Sequence, residues 1–184
     1  MPLRVAIITV SDSVAAGERE DRGGPACEQS LKDAGLAPEI VSRESLPDDR
    51  HQIARAIRLR VDGRKTDLVV LTGGTGVAPR DRTPEAVRDV IEFEVPGLAE
   101  KMRSDTGKDF PAAYLSRQVV GVRAGAVIIA LPGSPKGAFD CLTAITGLLP
   151  HAVALIQGER PAHPKASEPA APRPIKFSKP EPEG

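Results

Sequence analysis

The run LRVAIITV, residues 3–10, is apolar on both faces and rich in β-branched side chains, the pattern of a strand buried in a parallel sheet. DLVVL at 67–71 and AVIIAL at 126–131 repeat it, and PEIVSRESL at 38–46 reads as a further strand. Apolar residues at helical spacing fill the intervals. One helix is expected from about Pro25, with Cys27, Leu31 and Ala34 on its buried side and Gly35 as its stop. Asp48 reads as the N-cap of a second helix, which carries Ile53, Ala56, Ile57 and Val61 and closes at Gly63. Thr83 and Pro84 open a third, with the threonine as cap and the proline in the first turn. Ser134 and Pro135 open a fourth, which carries Cys141, Leu142 and Ile145, and a last helix covers 150–157. Residues 95–125 show less order: a short helix around 98–102 and a mixed segment around 114–122. Strands alternating with helices predict an α/β sandwich with a mostly parallel sheet.

Composition bounds this picture. With 40% apolar residues but only four Phe, one Tyr and no Trp among 184, the core must be built from Val, Ile, Leu and Ala. From Arg160 onward seven of 25 residues are Pro, and such a segment cannot bury enough apolar area to offset the entropy of ordering it. The expected organisation is one domain, 1–159, followed by a flexible Pro-rich tail, 160–184. Lys and Arg balance Asp and Glu at 25 each, so neither nucleic acid nor a membrane is expected as a partner. Cys27 and Cys141 are isolated and read as reduced, buried thiols in a reducing compartment. His51, His151 and His163 are scattered and read as surface or capping residues. Neither a signal peptide nor an apolar run of about 18 residues is present, so a cytoplasmic location is expected.

Three strand ends lead into loops with unusual chemistry, and in open α/β sheets ligands bind outside the carboxyl ends of strands. The strand at 67–71 is followed by Thr72-Gly73-Gly74-Thr75-Gly76. Its glycines let backbone N–H groups approach a ligand, and its threonines add hydroxyls. Arg80 and Arg82 flank Asp81 just before the helix that Thr83 opens, and a helix N-terminus favours an anion. The loop is neither GxGxxG nor a P-loop, and a tight turn of ordinary glycines is the plain alternative. AVIIAL runs into Pro132-Gly133-Ser134-Pro135-Lys136, which places Lys136 in a first helical turn, where a cation opposes the macrodipole. A bound phosphate resolves that conflict; the alternative is a solvated lysine at a cost of roughly a few tenths of a kcal/mol. Ser11-Asp12-Ser13, after the first strand, offers hydroxyls that either meet a ligand or cap the loop locally. Asp12, Asp48 and Asp81 are the candidate carboxylates, either holding Mg²⁺ between phosphates or accepting from the N–H groups of a heterocycle.

TGGTGVAPRDRTPEA, residues 72–86, strongly resembles the molybdopterin-binding domain of the Mog/MoaB family, the molybdopterin adenylyltransferases. The resemblance extends in order through ITVSDS (8–13), SLPDD (45–49), EVPGLAEKMR (94–103), YLSRQVVGVR (114–123) and LPGSPKG (131–137). It implies a three-layer α/β/α domain that assembles as a homotrimer. It implies Mg²⁺-ATP and molybdopterin as substrates, with adenylylated molybdopterin and pyrophosphate as products. It ties Asp48, Asp81 and Ser116 to pterin binding and catalysis, with Asp81 the candidate Mg²⁺ ligand. Backbone N–H groups of residues 73–76 and the loop from Pro132 to Lys136 are then expected to cradle phosphates, beside Ser11, Asp12, Thr72 and Arg80. Two other readings stay open: a non-catalytic molybdopterin-binding or carrier protein, and molybdate insertion, for which further domains are wanting. The tail either contacts the molybdenum-insertion protein or is simply solvated.

Overall fold

The computed structural model describes residues 2–63 and 65–159, so the tail expected at 160–184, with His163, lies outside the described residues. Six strands form one sheet: β1 (Leu3–Val10), β2 (Pro38–Leu46), β3 (Leu68–Thr72), β4 (Phe93–Glu94), β5 (Val120–Arg123) and β6 (Ala126–Leu131). Their spatial order is β2-β1-β3-β6-β5-β4. β2, β1, β3 and β6 are parallel; β5 runs antiparallel to β6, and β4 to β5.

The central strands lack a polar face because both of their faces are covered. In β1, Val5 and Ile7 point into one layer, and Ala6, Ile8 and Val10 into the other. In β6 the split is Val127, Ile129 and Leu131 against Ala126, Ile128 and Ala130. A single turn, α1 (Asp12–Ala15), follows β1. The first layer is closed by α2 (Gly23–Asp33), α5 (Pro96–Gly107), α6 (Pro135–Thr143) and α7 (Leu149–Ile156). The second is closed by α3 (Arg50–Val61) and α4 (Thr83–Arg88). The result is the expected three-layer α/β/α sandwich. Each fully buried Ile, Leu or Val contributes about 1.5–3 kcal/mol, and the single Tyr, at position 114, stays outside the core. Cys27 and Cys141 are buried free thiols, and burial pushes the Cys27 thiol up to about 12. Among the described residues no single helix is long and apolar enough to cross a membrane.

Helix boundaries follow the side chains that reach free N–H groups. Asp49 caps α3, accepting from the Gln52 N–H at 2.8 Å, so Asp48 does not fill the capping role its position suggests. α2 begins at Gly23, earlier than Pro25, because Asp21 accepts the Gly24 N–H at 3.0 Å. Ala34 is exposed at the end of that helix; Ser30 is buried instead, hydrogen-bonded to Thr143 at 2.9 Å. Thr83 lies inside α4 and makes no cap, since Arg82 holds that position without a side-chain bond. Ser134 does cap α6, accepting from the Gly137 N–H at 3.2 Å. α5 is longer than its sparse apolar spacing predicts, and the mixed segment after it resolves into a 3₁₀ turn, Pro111–Leu115, and β5.

β1 sits between β2 and β3, so the chain leaves it first in one direction and later in the other. A crevice opens at the carboxyl ends of strands where order reverses in this way. The register sets Val10 beside Leu46, Thr9 beside Thr72, and Thr72 beside Leu131. The loops that follow β1, β2, β3 and β6 therefore emerge at one level.

Candidate active site

The loop after β3 packs so closely that glycine is required at its first two positions. Gly73 has φ +111°, and a Cβ there would stand 2.0 Å from the Val10 carbonyl oxygen. Gly74 has φ +62°, and its Cβ would meet the Thr83 hydroxyl at 2.5 Å and the Asp48 carboxylate at 2.6 Å. The loop after β6 is locked to the same place. The Gly73 N–H donates to the Leu131 carbonyl at 3.1 Å, and a Cβ on Gly133 would stand 3.2 Å from the Gly73 Cα. The Thr72 hydroxyl donates to the Pro132 carbonyl at 2.8 Å. The Thr75 and Ser116 hydroxyls share a hydrogen bond at 3.1 Å. Thr72 and Thr75 are both buried and engaged within the protein, so their hydroxyls tie loops together instead of facing a ligand.

The three candidate carboxylates form a chain across these loops. Asp12 accepts the Asp48 N–H at 3.0 Å and the Arg80 guanidinium at 2.6 Å, which together hold its carboxyl below the usual range. Arg80 is thereby a partner of Asp12 on an exposed rim. Asp48 accepts the Arg82 N–H at 3.1 Å. Burial pushes its pKa up, and the charges of Asp81 and Asp12 add to that against the Arg82 N–H. Asp81 accepts the Ala78 N–H at 3.0 Å, and its carboxylate lies 2.7 Å from where a Cβ on Gly76 would be.

Lys136 is 86% exposed and ion-paired with Asp140 at 2.6 Å. Its conflict with the α6 dipole is met by this acid one turn along, without a phosphate. Ser11 caps α1, accepting the Val14 N–H at 3.5 Å, and lies 3.3 Å from Ser13.

Two cavities flank the loop after β6. One, of about 800 Å³, is lined by Ser11, Asp48, Asp81, Gly73, Gly74 and Gly133, with Thr72 at its wall. The other, of about 640 Å³, is lined by Ser116, Pro132 and Lys136, with Phe110 and Cys141 among its apolar groups. Ser134 lines both. Asp12, Thr75, Gly76 and Arg80 line neither and support the walls.

Sequence reasoning passed over Arg117. Its backbone N–H donates to the Thr75 carbonyl at 2.7 Å, and its guanidinium donates to the carbonyls of Gly76 at 2.6 Å and Asp81 at 2.8 Å, while also meeting Glu85. One side chain thus holds both ends of the segment that carries Asp81. Its adjacency to Ser116 was the available signal. Asp21, which binds Thr9 and Gly24, gave no signal at all.

Among the described residues no cluster of three or more His, Cys, Asp or Glu is gathered to hold a metal. Mg²⁺ needs less, since it keeps water and binds through one or two carboxylates plus substrate phosphates. Asp48 and Asp81, facing one cavity, offer that donor set.

Residues 6–151 match the family model described as a probable molybdopterin binding domain. A molybdopterin adenylyltransferase of Helicobacter pylori (strain J99) is 39% identical over 156 residues, covering 85% of this chain and 89% of that protein. The crystal structure of the molybdopterin biosynthesis enzyme MoaB of Thermus thermophilus matches with a TM-score of 0.79 and 47% identity, covering 85% of this chain and 98% of the other. That of the tungsten cofactor synthesizing protein MoaB of Pyrococcus furiosus matches with a TM-score of 0.75 and 30% identity, over 84% and 97%.

Proposed function

The chain belongs to the molybdopterin-binding domain family, and from that membership and its site we propose that it is an adenylyltransferase acting on molybdopterin with Mg²⁺-ATP. One observation carries the reading: two cavities of about 800 and 640 Å³ share Ser134 as a common wall, and the first gathers Asp48, Asp81 and the Gly73-Gly74 loop. Two substrates bound on either side of that wall meet across it.

In the reaction a terminal phosphate oxygen of the pterin attacks the α-phosphorus of ATP. The new P–O bond forms as the bond from the α-phosphorus to the bridging oxygen breaks, and pyrophosphate leaves with the electron pair. No covalent enzyme intermediate is required, so the protein's work is alignment and charge stabilisation. The Gly73 N–H is spent on the Leu131 carbonyl, contrary to its expected place in the phosphate cradle, so the Gly74 backbone is the part of this pair that approaches the phosphates. Asp48 and Asp81 would hold Mg²⁺, which when bound supplies positive charge to the phosphate oxygens. Arg117 keeps the Asp81 segment in place. Ser116, fixed by Thr75, faces the second cavity and orients the pterin. The same reading expects a homotrimer, which light scattering measures.

The test is incubation of the protein with molybdopterin, Mg²⁺ and ATP. Pterin-dependent pyrophosphate release, with one adenylyl group added to the pterin, is the expected outcome. Pterin binding without release would replace this reading with a binding or carrier protein. Likeness to proteins named MoaB as well as to a named adenylyltransferase makes that second outcome the one to exclude.

A further inference from the structure

Residues 17–22, between α1 and α2, supply part of the wall of the 800 Å³ cavity, yet the transfer described above assigns them no task. The segment is held down firmly. Thr9, buried near the end of β1, donates to one Asp21 oxygen at 2.9 Å, and the Gly24 N–H donates to the other at 3.0 Å. The fit depends on small residues behind it: a Cβ at Gly23 would stand 2.9 Å from the Thr72 methyl, and one at Gly24 would stand 2.6 Å from Asp21. Asp21 is therefore spent as a latch, unlike Asp48 and Asp81 in the same cavity.

What the latch positions is the backbone that carries Arg19 and Arg22, both lining that cavity. Arginines elsewhere on the molecule hold carboxylates closely, as Arg50 does Asp89 at 2.6 Å and Arg123 does Asp62 at 2.7 Å. Among the described residues Arg19 instead makes a long hydrogen bond of 3.4 Å to the Ser11 hydroxyl. Arg22 stands 3.8 Å from Glu20, with both side chains largely solvated. Two arginine forks with donors to spare, carried on an anchored backbone at the wall of a cavity, suit a polyanion, because the planar fork matches phosphate oxygens two at a time.

We infer that Arg19 and Arg22, set by the Asp21 latch, clamp the β- and γ-phosphates of the nucleotide, the part that leaves as pyrophosphate. The inference rests on the adenylyl-transfer reading and gives the leaving group the cationic side chains that reading did not assign. Such a clamp selects for a triphosphate and has nothing to hold in AMP.

Equilibrium binding of Mg²⁺-ATP, pyrophosphate and AMP to the full chain tests this, with Arg19→Gln, Arg22→Gln and the double variant. Losing one charge-assisted contact at a solvated rim weakens ATP and pyrophosphate about 5- to 20-fold. AMP affinity stays within about twofold of wild type, as nothing in the clamp reaches it. Asp21→Ala shows the same selective loss. Undiminished ATP and pyrophosphate affinity in the double variant overturns the inference, and so does an equal loss for AMP. Pyrophosphate release by the wild-type protein separates the two claims. Release with unaltered ATP affinity in the double variant removes the clamp alone. A selective clamp without pterin-dependent release removes the transfer reading alone.

Discussion

Asp67 sits at the N-terminal end of β3, and Asp48 faces the loop at its C-terminal end. Asp67 accepts the Arg4 N–H at 2.9 Å, the Arg4 side chain at 3.0 and 2.6 Å, and the Gln157 amide at 2.9 Å. Burial alone would raise its pKa, but the Arg4 side chain and N–H carry it below the usual carboxylate range. Asp48 accepts one N–H, from Arg82, and burial together with Asp81 and Asp12 pushes its pKa the other way. One carboxylate has all the partners it needs. The other has one N–H partner and lines the 800 Å³ cavity, which makes it a candidate functional group. The sheet is thus finished at one end and left open at the other, as the topology of parallel strands favours.

Replacing the open carboxylates should give the largest effect, and on rate. Asp81→Asn and Asp48→Asn should each lower the rate of pterin-dependent pyrophosphate release by about 10²–10³-fold, the loss typical of one preorganised electrostatic group. Neither should cost much stability. For Asp48 the sign is reversed: its folded pKa is raised, so ionisation opposes folding, and that penalty is full above the folded pKa, shrinks as pH falls through it and is gone below the unfolded value. Thermal unfolding of Asp48→Asn at neutral pH should therefore match or exceed that of wild type. Full activity in either variant would sink the role assigned to it.

Asp67→Asn should do the opposite, lowering stability by roughly 1–3 kcal/mol while leaving turnover per folded molecule as it was. The lower part of that range is expected, because Arg4 remains 38% exposed and water screens its charge. The folded pKa of Asp67 is depressed, so its contribution is fully present above the unfolded value of about 3.9 and is lost as pH falls through the folded one. Denaturant curves for wild type and variant should stand apart at neutral pH and converge in acid. A gap that persists unchanged in acid would show that the carboxylate charge is not what matters.

The finished parts of the molecule were the easiest to read from sequence. β1, β3 and β6 announce themselves because burial on both faces leaves an unbroken apolar run. β4 has two residues, both exposed, and leaves no pattern to find. At the open end, the glycines at 73 and 74 were legible as glycines, but their neighbours were not. Asp48 and Asp49 stand together before one helix, and only the fold decides which reaches the Gln52 N–H and which reaches the Arg82 N–H, 34 positions away. The three loop carbonyls that Arg117 engages are set by tertiary contact and have no local period. Lys136 is a different case: its partner Asp140 lies four residues on, a spacing that sequence alone could have paired.

That pairing makes Lys136 the place to sharpen the contrast within the open end itself. Lys136→Ala should leave the denaturant unfolding curve where it is, since exposed ion pairs contribute little. Its effect on KM for either substrate should stay under about threefold, well below the loss expected for Arg19→Gln. Both residues are cations at the rim of a cavity, but Lys136 already has a carboxylate and Arg19 has a distant hydroxyl. If Lys136→Ala raised KM about tenfold, a bound phosphate would have to be displacing Asp140 from the lysine. The ordering of the two cations would then reverse, and the commitment of a charge to a protein partner would no longer mark it as structural.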